Sequence, residues 1–103
     1  MAIIHATSEN FQSVVLDSEK PVLLDFFATW CGPCQMIAPL LEELAAERED
    51  CAVVKVDVDE EPALAQAFGV VSIPTLFVVK GGEITARTVG YAPKEKLLEM
   101  LEG

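Results

Sequence analysis

Seven consecutive residues, Val22-Leu23-Leu24-Asp25-Phe26-Phe27-Ala28, carry a single polar side chain among them. A half-exposed strand alternates apolar and polar residues. A run this unbroken marks a strand covered on both faces, as in a parallel sheet with helices above and below it. Pro21 precedes the run, and Trp30-Cys31-Gly32-Pro33-Cys34 follows it. A helical pattern then begins near Cys31 and runs to about Glu49, with Met36, Ile37, Leu40, Leu41 and Leu44 as its apolar stripe. Glu42, Glu43 and Glu47 fall outside that stripe, and Pro39 is expected to kink the helix rather than end it, because the pattern resumes.

The flanking segments extend the alternation. Ile3-Ile4 reads as a short first strand, and Thr7 or Ser8 as the cap of a helix reaching about Asp17, with Phe11, Val14 and Val15 on one face. Ala52 to Asp57 is a further strand and Pro62 to Phe68 a short helix. Thr75 to Val79 and Ile84 to Val89 are strands joined through Lys80-Gly81-Gly82-Glu83, a hairpin signature. Pro93 suits the first position of a last helix carrying Leu97, Leu98 and Leu101. The order βαβαβαββα requires right-handed parallel crossovers early and an antiparallel edge late, giving an α/β sandwich. At 103 residues the whole chain, 1–103, is expected to form one domain.

Composition removes several functions. Asp and Glu outnumber Lys and Arg by 17 to 7, for a net charge of −10, which argues against nucleic acid and anionic membranes as partners. No apolar run approaches the roughly 18 residues of a membrane span. The opening Met1-Ala2-Ile3-Ile4-His5-Ala6 has no basic or long apolar segment of the secretory kind, so a cytoplasmic location is expected. Three cysteines cannot form a fully paired extracellular framework.

Cys31 and Cys34 carry the chemistry. In the first turn of a helix, residues three apart lie on the same side, so two thiols there can close a short disulfide ring. Gly32 permits the tight turn, and Pro33 has the φ of an early helical position with no N–H to satisfy. Unpaired N–H groups and the positive end of the helix dipole favour thiolate at Cys31, and thiolate is the attacking species in disulfide exchange. Cys31 is therefore read as the nucleophile and Cys34 as the resolving thiol. The alternative is half of a zinc or iron–sulfur site, which Cys51 and His5 could complete by count alone. A helix from Cys34 to Asp50 is about 24 Å long and carries Cys51 to the far end, whereas zinc ligands converge within about 4 Å. No metal is expected.

Asp25 stands six residues before Cys31 in a strand with no polar face. Desolvation there raises a carboxyl pKa, which suits a proton acceptor for Cys34; a structural aspartate capped by backbone amides is the other reading. Lys55, between Val54 and Val56, is a possible partner of Asp25 or a snorkelling surface lysine. Cys51 reads as a buried strand thiol, with regulatory modification as the alternative.

The stretch Phe27-Ala28-Thr29-Trp30-Cys31-Gly32-Pro33-Cys34 resembles the active site of the thioredoxin family, and Ile73-Pro74-Thr75 resembles the loop that faces it. Asp25, Lys55, Pro39, Gly82 and Gly90 also fall where the family has those residues, and the likeness runs from Phe11 to the last helix. The resemblance implies the thioredoxin fold, a five-stranded mixed sheet in order 1-3-2-4-5 flanked by four helices. It implies a cis bond before Pro74, and a substrate-docking patch of Trp30, Gly32, Pro33, Ile73, Pro74, Val89, Gly90 and Tyr91. It further implies protein disulfides as substrates, an NADPH-dependent thioredoxin reductase as electron source, no bound cofactor and a monomer. Phe27 replaces a frequent Trp, Gln35 a frequent Lys or Arg, Tyr91 a small residue and Ser72 a frequent Gly. The activity expected is that of a general protein disulfide reductase. A redox-independent binding subunit or holdase, and an oxidase or isomerase, are the rival readings.

Overall fold

The computed structural model describes residues 2–103. Five strands form one mixed sheet: β1 (Ile4–His5), β2 (Val22–Phe27), β3 (Ala52–Asp57), β4 (Thr75–Lys80) and β5 (Glu83–Val89). Their order is β1-β3-β2-β4-β5, as the family resemblance implied. β1 and β2 flank β3 in parallel, and β4 runs antiparallel to both β2 and β5. The helices are α1 (Gly32–Glu47), α2 (Pro62–Ala67) and α3 (Lys94–Glu102), preceded by a π-helical segment at Gln12–Leu16.

β2 lies at the centre of the sheet, which is why its sequence is apolar throughout. Alternate residues point to opposite faces. Leu23 joins Ile37, Leu41 and Leu44 of α1 and Leu97 and Leu101 of α3 on one side. Leu24 and Phe26 join Phe11, Val15, Ala65 and Phe77 on the other. Phe26, Phe68 and Phe77 close that second core as a ring cluster with centroids 5.2 to 5.7 Å apart. Each fully buried aliphatic or aromatic side chain contributes about 1.5–3 kcal/mol, so the two cores together clamp β2 in place.

Several details differ from the sequence expectation. The first helix reduces to five π-helical residues, with the Asp17 N–H reaching back to the Gln12 carbonyl at 2.8 Å. α1 ends at Glu47, two residues early, and Met36 is 63% exposed rather than part of the buried stripe. Pro39 sits inside α1 on its exposed side, and the helix continues through it to Glu47. Pro93 is extended and caps α3 instead of opening it, and Met100 is buried alongside Leu97 and Leu101. The hairpin turn shrinks to Gly81-Gly82, both with positive φ (58° and 81°) as a tight two-residue connection demands.

Candidate active site

The chain leaves the sheet at the end of β2, turns through Ala28–Trp30 and enters α1 with Cys31 as its N-cap. Cys31 is extended (φ −86°, ψ 116°), its N–H donates to the Ala28 carbonyl at 3.3 Å, and its carbonyl accepts the Gln35 N–H at 3.1 Å. Gly32 and Pro33 are exposed at the start of the helix. The two sulfurs of Cys31 and Cys34 are joined in a disulfide across a Cα–Cα separation of 5.2 Å.

The environments of the two sulfurs differ, although each cysteine is only 4% exposed. Cys31 Sγ accepts the Cys34 backbone N–H at 3.2 Å and lies 3.7 Å from the Ile73 carbonyl oxygen. It thus accepts an N–H of the helix N-terminus, which stabilises negative charge there once the disulfide is opened. Cys34 lines a cavity of about 210 Å³ with Phe27, Ala28, Thr29, Gln35, Ala38 and Lys55. The Gln35 side chain donates to the Thr29 carbonyl at 3.0 Å, bracing the turn before the pair.

Asp25 is wholly buried, and neither of its carboxyl oxygens has a hydrogen-bond partner. Two residues along β2 from Leu23, it points to the same face, the side covered by α1. The backbone-capped alternative therefore does not hold. Burial pushes its pKa up to about 6, against a smaller downward pull from the Lys55 charge. Lys55 stands in register with Asp25 on β3, and its ammonium lies 4.4 Å from the centre of the Phe27 ring.

Around the disulfide, Trp30 (70% exposed), Val89 (51%) and Tyr91 (47%) present apolar surface. The Ile73–Pro74 bond is cis. Pro74 itself is buried, and its carbonyl accepts the Gly90 N–H at 2.8 Å, which ties the loop before β4 to the end of β5. The surface of this patch is thus made by Trp30, Ile73, Val89 and Tyr91 rather than by the Pro74 ring.

Sequence reasoning missed Asp59. Its Oδ2 accepts the Trp30 indole N–H at 2.8 Å, while its own N–H is held by Asp57 Oδ1 at 2.8 Å. Nothing in the local pattern of Asp57-Val58-Asp59 marks it out. A second cavity of about 210 Å³, lined by Trp30, Val58, Ala65, Val70, Val71, Ser72 and Ile73, opens beside that indole and was equally unmarked.

Cys51 is buried immediately before β3, at the end of the sheet opposite Cys31 and Cys34. Among the described residues no group of three or more His, Cys, Asp or Glu is arranged to hold a metal ion, and no helix is long and apolar enough to cross a membrane.

A cysteine pair that closes into a disulfide on the first turn of a helix, just past the C-terminal end of the sheet's central strand and beside exposed apolar surface, defines a thiol–disulfide oxidoreductase. Comparison with known proteins agrees. The family model Thioredoxin matches residues 2–103. A thioredoxin of Staphylococcus haemolyticus is 52% identical over 103 residues, covering 99% of this chain and 97% of its own. One of Bacillus subtilis is 52% identical over 102 residues (98% and 96%), and one of Mycobacterium bovis 54% over 101 residues (97% and 87%). The chain belongs to the thioredoxin family, and its chemistry is dithiol–disulfide exchange through Cys31 and Cys34.

Proposed function

We propose that the chain is a general protein disulfide reductase in the cytoplasm, acting as a monomeric single domain and recharged by an NADPH-dependent thioredoxin reductase. The observation that carries this reading is the asymmetry of the pair: Cys31 on the helix N-terminus facing the apolar patch, Cys34 on the side of a buried, unpartnered acid.

A substrate disulfide docks over Trp30, Gly32, Pro33, Ile73, Val89, Gly90 and Tyr91, with Pro74 shaping the loop beneath. The Cys31 thiolate attacks one substrate sulfur; the substrate S–S bond breaks, and its leaving thiolate takes up a proton. Cys34 then gives its proton to the Asp25 carboxylate and attacks Cys31 Sγ. The mixed disulfide breaks, and the second substrate thiolate leaves. Two electrons have moved to the substrate, and the protein is in the disulfide form described above. A carboxyl with pKa about 6 is mostly ionised at neutral pH and still basic enough to receive that proton.

The test is the reduction of a protein disulfide by single-cysteine variants. Cys31→Ser is expected to abolish turnover, and Cys34→Ser to stall with substrate covalently held on Cys31. Full turnover in either variant overturns the reading.

A further inference from the structure

Phe27 closes β2 on the same face as Asp25, two residues further along. Its ring meets two side chains: Lys55 Nζ over its face at 4.4 Å, and the His5 ring edge-on with centroids 6.4 Å apart. The register across the sheet explains the meeting. His5 of β1, Lys55 of β3 and Asp25 of β2 stand opposite one another, and Phe27 is the diagonal neighbour of Lys55.

A lysine head group is strongly hydrated and sits on a flexible stem, so it swings into water unless something holds it. Asp25 does not hold it, because neither carboxyl oxygen has a hydrogen-bond partner. The face of the Phe27 ring is the negative pole of its quadrupole, and a cation within about 6 Å of the centroid is attracted to it. Phe27 and Lys55 also line the cavity that reaches Cys34.

We propose that Phe27 is a positioning residue: its ring fixes the Lys55 ammonium at that cavity and thereby sets how firmly Asp25 holds the proton taken from Cys34. The proposal rests on the reading of Asp25 as proton acceptor. The other titratable side chains on this face are His5 on β1 and Asp57 on β3, in register with Phe27; Cys34 on α1 has no proton to give while the disulfide is closed, and β4 contributes the apolar Leu76 opposite Asp25. The Asp57 carboxylate is engaged by the backbone N–H groups of Asp59 and Glu60.

The experiment is a double-mutant cycle read by carboxyl-carbon NMR titration of Asp25 in the oxidised full chain. Lys55→Met removes the charge and is expected to raise the Asp25 midpoint. Phe27→Leu keeps apolar volume but loses the ring face, and is expected to raise it in the same direction. In the Lys55→Met background Phe27→Leu is expected to shift nothing further, which separates positioning from mere packing. Phe27→Trp, the stronger cation binder, is expected to leave the midpoint at or below that of the parent.

A rise of one unit from about 6 cuts the ionised fraction at pH 6 about fivefold. Resolution of the mixed disulfide at that pH is expected to slow by the same factor in Phe27→Leu. An unmoved midpoint in Phe27→Leu or in Lys55→Met overturns the proposal, as does an equal shift by Phe27→Leu with and without Lys55. Should the leucine variant fail to fold, a raised midpoint in Phe27→Trp overturns it. Failure of the underlying reading shows separately: Asp25→Asn would then resolve the mixed disulfide at the parent rate, while the titration cycle still decides whether Phe27 places Lys55.

Discussion

The indole N–H of Trp30 donates to Asp59 Oδ2 at 2.8 Å, binding the residue before the nucleophile to the loop that follows β3. Trp30 is the chain's single tryptophan, so tryptophan fluorescence reports on this residue alone. Asp59→Ala is expected to lower the steady-state anisotropy of Trp30 and to raise KM for protein disulfides more than it lowers kcat. The contact is exposed, so the loss in stability stays below about 1 kcal/mol, checked by urea unfolding.

Burial raises the folded-state pKa of Asp25 to about 6 from the ordinary 3.8. The folded chain therefore holds a proton that the unfolded chain has lost between these values. The stability tied to that proton is fully present below about pH 4 and disappears as pH rises through about 6. Integrated, this amounts to on the order of 2–3 kcal/mol. Asp25→Asn carries no such charge, and its stability relative to the parent is expected to rise between pH 4 and pH 8. Urea midpoints across that range check it; parallel curves for the two proteins would refute it.

Gln35 follows Cys34 on the exposed first turn of α1. Gln35→Lys places a cation near Cys31 and is expected to lower its thiol pKa by less than about one unit, solvent screening limiting the effect. Thiolate absorbance or alkylation rate against pH measures it, and an unchanged pKa counts against the view that Gln35, standing where relatives often carry Lys or Arg, leaves the Cys31 thiolate less stabilised.

Gly82 has φ 81°, and a Cβ added there would lie 3.3 Å from the Leu16 carbonyl oxygen. Gly82→Ala is expected to cost about 1–2 kcal/mol, from the left-handed conformation alone. Gly81, with φ 58° and open space around it, is expected to accept Asn at smaller cost. Denaturant midpoints of the two variants should differ in that order.

The sequence carried those features that depend on neighbours along the chain. The apolar run of β2, the Gly-Gly hairpin and the helix start near Cys31 are local patterns with local causes. The sheet order was legible only through family resemblance, since periodicity says which faces are buried and not which strands adjoin. Met36 misled because it lies four residues before Leu40, itself only partly buried, on the solvent margin of the α1 stripe. The π-helical Gln12–Leu16 escaped because its widened turn differs from an α-helix in hydrogen-bond register rather than in composition. In the site, the Cys31–Cys34 pair was readable from its three-residue spacing around Gly32-Pro33 at a strand-to-helix junction, and the burial of Asp25 from its place as the one polar residue in an apolar run. The Trp30–Asp59 and Phe27–Lys55 contacts were not, because each joins residues about 30 positions apart.

Cys51 immediately precedes β3, whose far end approaches the redox pair, and six residue steps along the strand separate the two regions by about 20 Å. A disulfide needs its α-carbons within about 7 Å. The odd thiol therefore has no intramolecular exchange partner while the sheet is intact. Oxidation of the native chain can close just one ring, and a crosslink through Cys51 first requires its buried thiol to be uncovered.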